Sequence, residues 1–166
     1  MIFDGVNDYV DAGNGASLNP NYITVEAWVK FDTVTGRFIS KWETAGQYAY
    51  MMWTDGTNVF FTISLDGTST YHATNITTIS TNTWYHLVGT YDGANLKIYV
   101  NGVLEKTTAQ TGTLYTGSTH NLIIGAQSLL DTWFDGKMDE VRIYNRALTN
   151  DEVRAHYLRG TGAGGA

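Results

Sequence analysis

The chain has no cysteine and a single proline in 166 residues. Without thiols there is no disulfide framework, no thiolate metal centre and no cysteine nucleophile. Charge is also scarce, at 16% of residues, and the formal net charge is −6. With no Lys/Arg run to neutralise phosphates, the chain is not expected to bind nucleic acid. No apolar stretch approaches the ~18 residues that cross a bilayer, so no membrane insertion is expected. The opening MIFDGVNDYV has neither the basic start nor the apolar run of a secretory signal. It begins inside strand-like residues, which suggests a domain taken from a longer protein with Met1 added.

What is abundant is apolar and aromatic: 43% hydrophobic residues and 13% Phe, Trp and Tyr. The length suits one domain with its own core. The aromatic load exceeds what a sheet core needs, so some rings are expected at the surface. That leans towards ligand binding, although Tyr and Trp also form strands well.

The stretch 84–106, WYHLVGTYDGANLKIYVNGVLEK, organises the reading. Asn101-Gly102 between alternating runs predicts a two-residue type I′ hairpin, because both central residues need positive φ. It would pair Val100 with Val103 and put Leu96, Ile98, Val100 and Val103 on one face. Residues 23–32 alternate cleanly, with Ile23, Val25, Ala27, Val29 and Phe31 inward and Thr24, Glu26, Trp28 and Lys30 outward. In 58–66 the inward set is Val59, Phe61, Ile63 and Leu65. In 47–53 both faces are apolar, Tyr48, Tyr50 and Met52 opposing Ala49, Met51 and Trp53. Weaker strands are expected at 71–80 and 120–127, and a last one at 133–144. About eleven to thirteen short strands with turn signals between them predict an all-β sandwich or barrel. The period then switches. Thr149 at the N-cap and Glu152 at N3 form a capping box, with Leu148 and Val153 stapled across it, for one helix to about Leu158 stopped by Gly160. The domain is expected to span 1–159, with 160–166 a flexible Gly-rich tail.

Several motifs together resemble one family: FDGVNDYV (3–10), ITVEAWVKFD (23–32), WYHLVGTYDGANLKIYVNG (84–102), NLIIG (121–125) and FDGKMDEVRIYNRALTNDEV (134–153). They are similar to the LamG-like jelly-roll domain of the concanavalin A-like lectin/glucanase superfamily. The resemblance implies two antiparallel sheets packed face to face, one of them curved, with first and last strands adjacent. It also implies a module that binds glycans or proteins, or serves as a spacer, within extracellular or surface proteins.

Three kinds of site are conceivable on these residues. Asp4, Asn7 and Asp8 share one N-terminal turn and Asp139 lies in the last strand. If those strands are neighbours, hard oxygen ligands from both suit Ca²⁺. The same residues are also ordinary turn formers, and the resemblance supports a structural calcium joining the two ends. For carbohydrate binding the candidates are Trp42, Tyr50, Trp53 and Trp133 as stacking rings and Asp131 as a hydroxyl ligand. The competing reading makes each ring part of the core or of an edge cover; Trp28 and Trp84 are assigned to structure. Catalysis finds little support. A retaining glucanase needs two carboxyls about 5–5.5 Å apart. Asp139 and Glu140 are adjacent, hence expected on opposite faces, and Glu26 has no acidic partner two residues away. The four histidines show no metal-ligand spacing. The sequence therefore predicts a non-catalytic, lectin-like module, monomeric as an isolated domain, whose partner is a glycan or polysaccharide. The alternative is a protein-interaction, adhesion or spacer module without glycan binding.

Overall fold

The clean alternation of 23–32 becomes the strand at the centre of the protein. In the computed structural model, which describes residues 1–43, 45–127 and 132–162, β3 (Ile23–Phe31) buries Ile23, Val25, Ala27, Val29 and Phe31 completely. Around it lie β1 (Ile2–Asp4), β12 (Asp135–Tyr144), β8 (Trp84–Tyr91), β9 (Asn95–Val100) and β10 (Val103–Ala109), in the order β1-β12-β3-β8-β9-β10. A second sheet runs β2 (Val10–Asp11), β11 (Ile123–Ile124), β4 (Gly36–Lys41), β5 (Tyr50–Thr54), β6 (Val59–Ile63) and β7 (Tyr71–Thr74). All pairings are antiparallel. The two layers face each other across one core, so the predicted sandwich is the observed one. First and last strands are adjacent: Phe3 pairs with Gly136. The Met1 ammonium also donates to the Met138 carbonyl at 2.7 Å.

The hairpin follows its turn chemistry. Asn101 and Gly102 have φ of 51° and 78°, and Val100 faces Val103. Val103 itself is 63% exposed rather than in the core. It sits on an edge strand, and a bulge between Leu104 and Lys106 breaks the alternation. The weaker strands are shorter than their sequence suggested. β7 ends at Thr74 because Asn75 turns its side chain onto the ladder, where its Oδ1 accepts from the Val59 N–H at 2.8 Å. That leaves Asn75 buried, so the Asn75-Ile76-Thr77 glycosylation sequon offers no accessible amide.

Between the layers, the Phe134 ring meets Phe3 and Phe31 edge-on at 5.7 and 5.6 Å and leans on Phe38 at 5.9 Å. The capping box of α1 (Asn150–Gly160) is present, with Glu152 N–H donating to Thr149 Oγ1 and Thr149 N–H to the Glu152 carboxylate. Leu148 and Val153 pack with Val88 and Tyr99, which lays the helix on the outer face of the first sheet. The helix continues two residues beyond the expected end. Gly160 is its last residue, seated against the Trp28 indole, where a Cβ would fall 2.5 Å from ring atoms.

Candidate functional site

The outer face of the second sheet, away from the helix, collects rings and polar groups. Arg37 on β4 stands opposite Trp53 on β5, which stands opposite Phe60 on β6. Period-two alternation therefore puts all three on the same side. Trp53 stacks on Phe60 at 4.3 Å and donates its indole N–H to Thr62 Oγ1 at 2.9 Å, and Phe60 meets His72 at 5.8 Å. On the other flank Arg37 Nη1 donates to Thr132 Oγ1 at 3.1 Å, next to Trp133, and Trp133 leans on the half-exposed Tyr9 at 6.1 Å. Gly36 allows this approach: its φ is 107°, and a Cβ there would lie 2.8 Å from the Trp133 carbonyl. Two buried polar atoms here, Arg37 Nε and Gln127 Oε1, have no hydrogen-bond partner among the described residues.

Beside Tyr9 opens a pocket of ≈ 300 Å³ lined by Asp11, Glu43, His120 and Asn121, with Ile123 at its base. Asp11 is held by the Gly13 N–H and by Asn121 Nδ2, each at 2.8 Å. Glu43 pairs with His120. The buried Lys41 ammonium donates to the His120 carbonyl and to Asn14, and burial pushes its pKa down to about 8. Asp11, Glu43 and His120 were not anticipated. They come from three separate loops and strand ends, and nothing local in the sequence joins them.

The predicted rings divide. Trp53 and Trp133 lie on this face, both half-buried. Tyr50 does not. Its strand turns Tyr50 and Met52 into the core, where Tyr50 is 0% exposed and its hydroxyl donates to the Leu18 carbonyl. Trp42 is 7% exposed, with one face covered by Tyr48 at 4.3 Å. Both are withdrawn as stacking surfaces. Asp131 lies outside the described residues.

The proposed calcium ligands do not converge. The register sets Asp4 against Asp135, while Asp139, four residues farther along β12, stands opposite Trp28. At ~3.3 Å per residue that is about 13 Å of strand. The turn also uses its own carboxylates. Asp4 Oδ1 accepts from Val6 N–H at 2.9 Å and Asp8 Oδ2 from Asp4 N–H at 3.1 Å. Among the described residues no group of three or more Asp, Glu or His side chains is disposed to hold a metal ion. The set of Asp4, Asn7, Asp8 and Asp139 therefore does not fit one calcium. The melting temperature should be the same in EDTA as in millimolar calcium, and Asp139→Ala should leave that equality intact. A fall in EDTA would reinstate calcium, with Asp135 in place of Asp139.

β12 also departs from the alternation expected of it. A bulge between Asp139 and Arg142 puts Glu140 at φ 53°. The alternation that would separate Asp139 from Glu140 fails there, and both line one crevice.

A buried carboxylate, Glu26, lies on the outer face of β3 beneath α1. Its side chain is 1% exposed. Oε1 meets His86 Nε2 at 2.8 Å, His156 Nδ1 lies 3.0 Å from both oxygens, and Arg142 reaches within 3.8 Å. Burial alone raises the carboxyl's pKa; the hydrogen bonds from His86 and His156 outweigh it and hold the group below its ordinary value. The Glu26 carboxylate and His86 are closed to ligands, and the cluster ties the helix to the sheet.

Comparison with known proteins agrees with this architecture. A family described as the concanavalin A-like lectin/glucanases superfamily matches residues 4–154. The Ruminococcus gnavus IT-sialidase module CBM40, solved bound to alpha2,3 sialyllactose, superposes with a TM-score of 0.75 at 16% identity, over 94% of this chain and 95% of that one. Domain 4 of AbnA, a GH43 extracellular arabinanase of Geobacillus stearothermophilus solved with arabinotriose, gives a TM-score of 0.64 at 23% identity, over 92% and 84%. At these identities the likeness is one of fold. Among curated proteins, human adhesion G-protein coupled receptor D1 is 36% identical over 84 residues, 48% of this chain and 10% of the receptor.

Proposed function

This chain belongs to the concanavalin A-like lectin/glucanases superfamily, and we propose that it is a non-catalytic carbohydrate-binding module of a larger extracellular or surface protein. The observation that carries this reading is the outer face of the second sheet. There Trp133 and Tyr9 stand beside a ≈ 300 Å³ pocket edged by Asp11, Glu43, His120 and Asn121. Flat rings stack on the apolar C–H faces of a sugar, and the carboxylates and the amide accept and donate hydroxyl hydrogen bonds. A pocket with a few convergent polar groups beside apolar surface is what a small ligand needs. Two relatives in fold were solved with a bound saccharide.

Asp11 and Glu43 line this pocket together, yet neither is set up as a glycosidase acid. Asp11 is tied to Gly13 and Asn121, and Glu43 to His120. The protein should release no reducing ends from any polysaccharide it retains. The binding test is a glycan array followed by titration calorimetry on the best ligand. Trp133→Ala should weaken that ligand by about tenfold or more, roughly 1.4 kcal/mol, with an unchanged circular dichroism spectrum. Undiminished affinity would remove the platform. Failure of the wild type to retain any glycan would leave protein adhesion as the reading, a role in keeping with the human adhesion receptor relative.

A further inference from the structure

The opposite layer carries a second concavity that the face just described does not use. It lies between the last turn of α1 and the β12 bulge, over the outer face of the first sheet. Trp84 pairs with Lys30 and His86 with Trp28. The two indoles are therefore diagonal neighbours on that face, a spacing within reach of large side chains. Trp84 is 42% exposed, and among the described residues no other ring packs against it. Arg159 and Thr161 from the helix end and Asp139 and Glu140 from the bulge close a cavity of ≈ 540 Å³ around them. It adjoins a pocket of ≈ 320 Å³ that shares Trp28, Glu140 and Arg159 and adds Arg142.

Three features point to a ligand. An exposed indole offers a stacking surface with no partner of its own. The polar rim is charge-balanced, with Glu140 ion-paired to Arg142 of the adjoining pocket and Asp139 sharing the cavity wall with Arg159, so it favours neither an anion nor a cation. Carboxylates accept hydrogen bonds from hydroxyls and guanidinium groups donate to hydroxyl oxygens, which suits a neutral polyol. Finally, Glu140 holds a left-handed backbone without being glycine. Such strain costs of order 1–3 kcal/mol and collects at binding sites, and here it is what turns both acidic residues into one crevice.

We infer that this crevice is a second saccharide site, for a neutral sugar, on the layer opposite the first. The module is then bivalent, with its two sites facing away from each other. They engage separate chains rather than two positions on one short glycan.

The test is an array of neutral and acidic glycans probed with the wild type, Trp133→Ala, Trp84→Ala, Arg159→Ala and the doubles that combine Trp133→Ala with each of the last two. The expected result is at least one neutral glycan that Trp133→Ala still captures. Its half-saturating concentration should rise about tenfold or more when Trp84→Ala or Arg159→Ala is added. Arg159 is at the surface, so its variant keeps the fold where loss of an indole disturbs it. Titration of that glycan should move the Trp28 and Trp84 indole N–H resonances. Absence of any glycan retained by Trp133→Ala, retention that survives Trp84→Ala, or retention of acidic glycans alone would each overturn the second site while leaving the first intact. A wild type that captures nothing overturns both.

Discussion

Replacing His86 with leucine should cost the domain about 3 kcal/mol, the lower part of the range for removing one partner of a buried pair. The leucine occupies similar volume, so the loss is electrostatic rather than a cavity. It leaves Glu26 at 1% exposure with His156 and a distant Arg142 as its remaining partners. Changing Glu26→Met in the same protein removes the stranded charge, and the double variant should recover most of the loss. The coupling in that cycle should be about 2 kcal/mol. Urea unfolding of the four proteins measures it; additive losses would show that the two side chains do not act as a pair. The same cluster sets an acid limit. The folded Glu26 carboxyl titrates below its ordinary value of 4.5. Its contribution is therefore complete above that value and is lost as pH falls through the depressed folded pKa. Glu26→Gln should flatten the acid limb of the stability profile, and a limb that stays unchanged would assign acid unfolding to other carboxylates.

Phe134→Ala should be the most damaging single truncation, about 3–5 kcal/mol, or roughly 6–20 °C in melting temperature for a chain of this size. Phe134 precedes β12, and its ring touches Phe3 and Phe31 from one layer and Phe38 from the other. Truncation leaves a void where the two sheets meet, and close packing on both sides keeps it from collapsing. It also loosens the start of β12 next to Trp133, so sugar affinity on the second sheet should fall with stability. Phe38→Ala in the same background should cost less than it does alone, because each variant has already removed part of the other's contact. Thermal melts of the single and double variants check this, and full additivity would mean that Phe134 is held by one layer only.

How much of this was legible depended on whether one face of a segment was plainly polar. β3 was readable because Glu26, Trp28 and Lys30 interrupt a run of β-branched and aromatic residues every second position. The hairpin was readable because Asn101-Gly102 has few conformational alternatives. Tyr50 was misplaced for the converse reason. Tyr48, Tyr50 and Met52 are no more apolar than Ala49, Met51 and Trp53, so alternation alone could not choose the inner face. Asp139 failed on register, since a sequence states which strands are acidic but not how far one slides past another. The β12 bulge was invisible because an extra residue in a strand leaves the composition unchanged. Glu26 was read as solvent-facing, and by the period of its own strand it should be. What buries it is His156, 130 residues later, on a helix whose docking surface no local pattern announces. The pocket beside Tyr9 was unreadable in the same way, because Glu43 and His120 meet only once the second sheet has assembled.

The position of Glu26 beneath α1 also orders events in time. The carboxylate lies on the outside of a sheet whose other face is already packed, so the two layers can come together while Glu26 is still hydrated. Water leaves it only when His156 arrives. Dehydration of this enclosed carboxylate is thus deferred to the docking of the C-terminal helix, after the hydrophobic layers have supplied most of the driving force. The reverse step, a brief lifting of the helix, rewets the carboxylate without opening the sandwich. Amide hydrogens of α1 should accordingly exchange with solvent sooner than those of β3 directly below it.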